Sequence, residues 1–514
     1  MIRPLLISLL FSVVSSFASA QTTFSLEYHG GTGDEAVDGA ENPAGNLVVL
    51  GGVYASSNSD LVVSEISPNG VLLQTFTYAT PTNELPKSIT LTSDGGYFIT
   101  GSVFTSPTDY DLLVIKLDSA FNTVFHKRFS ITGGNESGNR AFEVAPGLYG
   151  VTGSIGLGGS TKPAFLILDD NGDIRHQAYL TTNQFASPDY SGRYLGNGVT
   201  ALVHLTNAFT LLDSSGAILA SCPTNIGLFT TDVFRTSTGS YACLAASEYG
   251  APLGGSLSLG IIDSALNSWT AGIRLKINAH DLAPVAMAED GSGNIYVAAN
   301  ATSLSSGNTV PLLIKTDSGG NLIWSYNFLP SGAPSAAFRQ IKVTSDGGII
   351  ILGNSGPWNN RRMYVTKVDT AGMAPCNRAS YPLTPLSINP IGQTLHTAYT
   401  GTLPPASAIT GNPVSLALTT DALCNGGGTG IEDQPVRPVI RVIPVMSERS
   451  FRIESESNGQ GDLSVYATNG SLVLEKRIMT GETISAENWL PGVYVFRIRL
   501  TTGETACLRV LREG

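Results

Sequence analysis

Asp94-Gly-Gly-Tyr-Phe-Ile-Thr-Gly101 and Asp111-Leu-Leu-Val-Ile-Lys-Leu-Asp118 are neighbouring stretches of a 514-residue chain, and they return along it with few changes. The second is a short apolar run that ends in Asp before a Gly or Asn turn. Its other copies are Asp60 to Ser67, Ala164 to Asp169, Phe209 to Asp213, Leu259 to Asp263, Leu312 to Asp317 and Tyr364 to Asp369. Their terminal residues are 51, 51, 44, 50, 54 and 52 positions apart, a regular unit in which Ser67 alone departs from Asp. The first stretch is a Gly turn followed by a β-rich run. It recurs at Gly45-Asn46-Leu47, Gly147-Leu148-Tyr149, Gly239-Ser240-Tyr241, Gly293-Asn294-Ile295 and Gly347-Gly348-Ile349. The fourth unit is degenerate, with Gly196-Asn197-Gly198 in that place.

An aromatic-containing strand follows the Asp turn, as in Val124 to Phe129 and Ile323 to Phe328. Each unit therefore reads as four strands joined by tight turns. Asp and Asn hold such turns through their own side chains, and Gly supplies the positive φ. The apolar runs are too short for helices, and no 3.6-residue pattern is sustained. Four antiparallel strands in about 50 residues make a propeller blade. The expected fold is all-β: a seven-bladed β-propeller over residues 21–378, followed by a small C-terminal β-sandwich. The seventh unit lacks a fourth strand, whereas the chain has a spare strand at Phe24-Ser-Leu-Glu-Tyr-His29. That strand is expected to complete the last blade and cover its edge.

Composition narrows the function classes. Net charge is −11 with only 13% charged residues, and no basic stripe speaks for nucleic acid or an anionic membrane surface. From Glu432 onward there are 10 Lys+Arg against 11 Asp+Glu, so the excess acidity lies in the preceding 431 residues. At the N-terminus, Arg3, the apolar run Leu5 to Phe17 and Ala18-Ser19-Ala20 read as a signal peptide cleaved after residue 20. No later run is long enough to span a membrane. Export makes disulfides possible. Cys376 with Cys424, and Cys222 with Cys243, are the candidate pairs, with free buried thiols as the alternative for each.

With Asp94-Gly95-Gly96-Tyr97, Thr100-Gly101, and Ile314-Lys315-Thr316-Asp317 followed by Asn321 and Trp324, the chain resembles the secreted propeller proteins of Bacteroidota. The resemblance spans about residues 24–378 and implies a fold, not a function, because propellers host unrelated activities. Residues 379–439 are Pro/Thr/Ser/Gly-rich and read as a connector. Residues 440–514 resemble the type A C-terminal sorting domain of the type IX secretion system. The matching elements are the Asn469-Gly470 hairpin within "LSVYATNGSLV" and Leu490-Pro491-Gly492-Val493-Tyr494 of "LPGVYVFRI". That resemblance implies recognition by the secretion translocon and a secreted or outer-surface location.

No HExxH, GxSxG or P-loop pattern is present, and no cofactor is implied. Asp169-Asp170-Asn171-Gly172-Asp173, and the Ser-Asp-Gly-Gly stretches at 93–96 and 345–348, occupy repeated turn positions and read as structural turns. His29, His126 and His176 fall on expected outer strands, where solvent-facing side chains are the reading. Asp34, Glu35, Asp38 and Glu41 form either a cation site, with Asp34 and Asp38 as its candidate ligands, or a solvated acidic loop. Trp358 beside Arg361 and Arg362 is the candidate binding patch, suited to stacking on a sugar ring. The favoured function is non-catalytic binding of a glycan or protein after export. The alternative is a polysaccharide-active hydrolase or lyase with carboxylates at one channel mouth.

Overall fold

The computed structural model describes residues 21–374 apart from loops at 31–32, 55–58, 79–81, 107–108, 131–133, 158–159, 181–191, 205–207, 225, 228, 248–254 and 358–359. It further describes short strands within 379–422, and residues 440–512 apart from 446–449, 456–459, 468–470, 491 and 502–504. The expected signal peptide, Cys376, Cys424, Trp358, Asn469, Gly470 and Pro491 lie outside the described residues. The chain divides into two compact units, Met1–Gly426 and Gly427–Gly514.

Because every apolar run is short and ends in a turn that reverses the chain, the first unit is built from hairpins. They assemble into seven antiparallel sheets, each a blade. In blade 2 the strands are Glu84–Leu91, Tyr97–Ser106, Asp109–Leu117 and Thr123–Phe129, from the innermost to the outer side. The Asp-ended runs are the third strands. In six of the blades the Asp that ends the run takes the turn N–H groups onto its own carboxylate, as Asp118 does from Ala120 and Asn122. Innermost strands pack on one another around the ring, and the innermost strand of blade 7 meets that of blade 1.

Seven apolar clusters fill the seven faces between adjacent blades. Both flanks of the middle strands are therefore buried, which is why Leu112 to Ile115 is continuously apolar rather than alternating. Blade 4 is the least regular. Its innermost strand, Gly192–Gly196, has five residues.

Blade 7 takes its fourth strand from the opposite end of the chain. Phe24–His29 pairs antiparallel with Arg362–Val368, with Phe24 opposite Lys367 and Tyr28 opposite Met363. Phe24 and Tyr28 sit in the core between blades 7 and 1, and Ser355 donates a hydrogen bond to the buried Glu27. The segment expected to be a connector is partly built into this unit. Strands at Ala379–Ser380, Thr384–Leu386, Ser407–Ala408, Val414–Ser415 and Thr419–Ala422 add a fifth strand to blades 6, 5, 2, 1 and 7, in that order. The segment thus runs along the rim against the order in which the blades were laid down. It covers outer edges that would otherwise offer free N–H and C=O groups.

The second unit stacks two sheets. Ile440–Val445, Ser450–Ser455 and Thr483–Ser485 form one, and Gln460–Ala467, Leu472–Met479, Gly492–Leu500 and Thr505–Arg512 form the other. Alternate residues Leu463 and Val465, and Phe496 and Ile498, meet Phe451, Ile453 and Ile484 in one core. Trp489 packs at a tilt against Tyr494, whose hydroxyl donates to the Leu490 carbonyl. Among the described residues no helix is long and apolar enough to cross a membrane.

Candidate functional site

Each innermost strand carries a register shift against its neighbour, so one residue bulges. Bulges re-aim side chains. In six blades the shift falls at an equivalent place, directly before Asp38, Ser88, Arg140, Asp232, Ala286 and Gln340. In blade 4 it is displaced to Tyr194–Gly196. The bulge presses on the second strand and selects small residues there. A Cβ at Gly101 would run into the Leu85 carbonyl, and one at Gly353 into that of Ala337. This is the physical reason for the Thr-Gly that ends the repeated stretch.

The bulges bring several polar groups to a central cavity of about 350 Å3. Its walls include Ser88, Arg140, Arg193, Gln340 and Lys342, with Phe142 and Tyr194 stacked 5.3 Å apart. The two carboxylates at bulge positions are latches between blades. Asp38 is fully buried and accepts from Ser88 Oγ at 2.8 Å and from the Ile89 N–H at 3.1 Å, both in the next blade. It also takes its own neighbour's N–H, that of Gly39, and faces Lys342 at 3.2 Å. Asp232, on the innermost strand of blade 5, repeats the arrangement toward blade 6. It accepts from the N–H groups of Val233 and Met287 and faces Arg193 at 3.3 Å. Arg193 also donates to the Met287 carbonyl, so it reaches across from blade 4 to blade 6. Burial lowers the Arg193 pKa, Asp232 works against that, and nearby Arg140 adds to it.

A second set of links lies at the Ser-Asp-Gly-Gly turns. Ser93 donates both its N–H and its Oγ to Glu143 of the next blade. Ser345 does the same to Glu41, which joins blade 7 to blade 1. Ser237, in the related turn Ser237-Thr238-Gly239, does so to Glu289. The Asp of the turn looks the other way. Asp94 meets the buried Lys116 at 2.8 Å and Asp346 meets Lys367 at 2.6 Å. Burial would raise the Asp94 carboxyl, but hydrogen bonds from Lys116 and Thr92 outweigh it and hold the group at about 2. The Lys of "IKLD" is thus the counter-ion of the preceding "DGG" turn.

The four acidic residues 34–41 do not converge. Asp34 accepts from the Gly30 N–H, Glu35 pairs with Arg339, Asp38 lines the axis and Glu41 holds Ser345. Among the described residues no three metal-ligating side chains come together. Arg362 of the candidate binding patch pairs with Glu27 at 3.2 Å, and the Arg361 carbonyl accepts from the Asp34 N–H. Cys222 and Cys243 are both buried, and no disulfide joins them. They occupy the apolar face between blades 4 and 5, where two small hydrophobic side chains pack without a covalent bond.

His126 is a further correction. Its outer strand does not expose it: the side chain is buried, and its Nε2 has no hydrogen-bond partner. His176 is exposed, as expected. Burial pushes the His126 pKa down from 6.5 to about 4, so the unfolded chain takes up this proton first as pH falls. Stability is then lost progressively between those two values. By pH 4.5 the cost is about 2–3 kcal/mol at 1.4 kcal/mol per unit. Melting temperatures at pH 7 and pH 4.5 test this. His126→Asn is expected to lose clearly less on acidification than the parent, and an equal loss would refute it.

No known family model and no curated protein matches the chain. Among solved structures it is similar to the WD40 β-propeller domain of Doa1, at 10% identity over 68% of this chain and 99% of that one, with a TM-score of 0.41. Raptor of Chaetomium thermophilum matches at 10% identity over 66% of this chain and 29% of that one, with a TM-score of 0.44. BamB of Moraxella catarrhalis matches at 9% identity over 68% and 92%, with a TM-score of 0.35. These likenesses concern the fold alone, which rests on the seven sheets themselves.

Proposed function

We propose that the chain is an exported, non-catalytic binding protein, in which the propeller engages its ligand and the C-terminal sandwich serves as a type IX secretion tag. The observation that carries the binding reading is the occupation of the axial carboxylates. A glycosidase needs two carboxyl groups about 5–10 Å apart, one of them held protonated to act as an acid. Asp38 and Asp232 each spend both oxygens on N–H, O–H or cationic donors. Glu143, at the cavity wall, is held by two donors from Ser93. These groups fasten blades together, and their oxygens are committed to donors of the ring itself.

The export reading is supported by the second unit. It has its own two-sheet core, with Tyr494 and Phe496 of the matching strand packed inside it and Trp489, just before that stretch, packed against it. A sorting tag must fold independently of its cargo, and such a core meets that need. The binding half is tested on the mature chain with a panel of polysaccharides, scoring retention in affinity gels alongside reducing ends. Retention without release of new ends is the expected outcome. A steady release of new reducing ends by the parent chain would establish the enzyme instead, and its loss in Asp38→Asn or Asp232→Asn would place the chemistry at the axis.

A further inference from the structure

The six bulge positions at the axis carry Asp38, Ser88, Arg140, Asp232, Ala286 and Gln340, and five of them are accounted for by the ring's own construction. Asp38 and Asp232 are latches, and Ser88 donates to Asp38. Gln340 takes the N–H of Ile341 onto its own Oε1, and Ala286 is small and fully buried. Arg140 is different. It is partly buried on the cavity wall, yet among the described residues its guanidinium has no hydrogen-bond or ion-pair partner.

Its surroundings make that unfavourable. Arg193 is close enough for the two cations to act on each other, and Lys342 lies on the same cavity wall. The described carboxylates at the cavity wall and at the axial bulges are engaged elsewhere: Asp38 with Lys342, Asp232 with Arg193, and Glu143 with Ser93. A partly desolvated cation beside like charges costs stability unless something compensates it. Residues kept at such a cost mark sites of function more often than of structure.

We propose that the central cavity binds an anionic oxyacid group, a carboxylate, sulfate or phosphate borne by a small or terminal ligand, with Arg140 as its principal contact. This deepens the binding reading above and rests on it. A guanidinium offers two parallel N–H donors to such a group, a match in shape as well as charge. Arg193 and Lys342 contribute field rather than free donors. A volume of about 350 Å3 lies near the lower end of the ~300–1,000 Å3 range of small-molecule sites, which suits one charged sugar or a smaller anion. The stacked Phe142 and Tyr194 supply an apolar flank for a ring.

The test uses the whole mature chain, with glucuronate, inorganic sulfate and inorganic phosphate as separate calorimetric titrants. At least one is expected to bind one-to-one, and its identity assigns the source of the anion. Arg140→Met is expected to weaken that titrant by about 10- to 100-fold, from the ~1.5–3 kcal/mol of a charged hydrogen-bonded contact, while Arg140→Lys keeps part of the affinity. Without ligand, Arg140→Met is expected to melt higher than the parent because a strained cation has gone. Failure of all three titrants, equal binding by Arg140→Met, or a lower melting temperature for that variant would overturn the proposal. If none of the three binds while a neutral glycan does, this inference fails and the binding-module reading stands. Product release from a polysaccharide would defeat that reading instead.

Discussion

A chain of residues 31–514 is expected to lose cooperative melting or to melt more than 10 °C below a chain of residues 21–514. The deletion removes the outer strand of blade 7 and with it Phe24, Leu26 and Tyr28 from the core between blades 7 and 1. Two buried aromatic side chains at about 1.5–3 kcal/mol each, with a smaller share from the partly buried Leu26, amount to roughly 4–7 kcal/mol. That is comparable to the whole stability of an ordinary domain, about 5–15 kcal/mol. Two further losses add to it. Arg362 and Ser355 lose Glu27, and Thr419–Ala422 loses the strand it pairs with. A ring magnifies the effect, because blades 1 and 7 then keep only the remainder of the apolar face between them, Leu47, Val49 and Val53 against Ile350, Leu352, Met363 and Val365, with the Glu41–Ser345 link beside it. Adding a peptide of residues 21–30 in excess is expected to restore part of the melting temperature. An unchanged melting temperature after the deletion would contradict this closure.

How much of this was legible in the sequence follows from where the information lies. Turn chemistry is local, so the Asp that ends each third strand and the Gly that opens each second strand could be read directly. Asp118 and Gly95 do in the structure what their types imply. The spare N-terminal strand was legible because a period of about 50 residues left one strand over. The axis was not legible. Asp38, Arg140 and Asp232 sit one after a bulge, and a bulge shifts the alternation that would have marked them as inward-facing. The Glu–Ser links between blades were missed for another reason. Glu143 and Ser93 are 50 residues apart, one blade period, and only the ring makes them neighbours. A Glu closing the inner strand one period after the Ser of a Ser-x-Gly turn is the signal that would have found them. His126 was misread because outer strands were equated with exposed ones.

The second large effect concerns the tail. A chain ending before Ile440 is expected to fold its propeller and remain in the periplasm of a host that has the type IX system. The first unit ends at Gly426 and keeps all seven sheets and the rim strands, which end at Ala422, so the truncation removes nothing that they pair with. The second unit carries its own core from Phe451 to Leu500, so residues 440–514 fused behind a reporter with a signal peptide are expected to send that reporter outside. Replacing Phe496, at the centre of that core, with Asp should abolish export of the fusion by burying an unpaired charge. Full export of the truncated chain would defeat the tag reading and leave the sandwich as an accessory domain.

Binding without chemistry at the axis is tested most directly by incubating the mature chain with acidic and neutral polysaccharides and measuring two quantities in one sample. These are the fraction of polysaccharide retained and the reducing ends released over time. The expected result is retention of an acidic polysaccharide, weakened in Arg140→Met, with reducing ends at the level of a protein-free control. A steady rise in reducing ends, abolished by Asp38→Asn or Asp232→Asn, would contradict it, because it would mean that the latched carboxylates act on substrate.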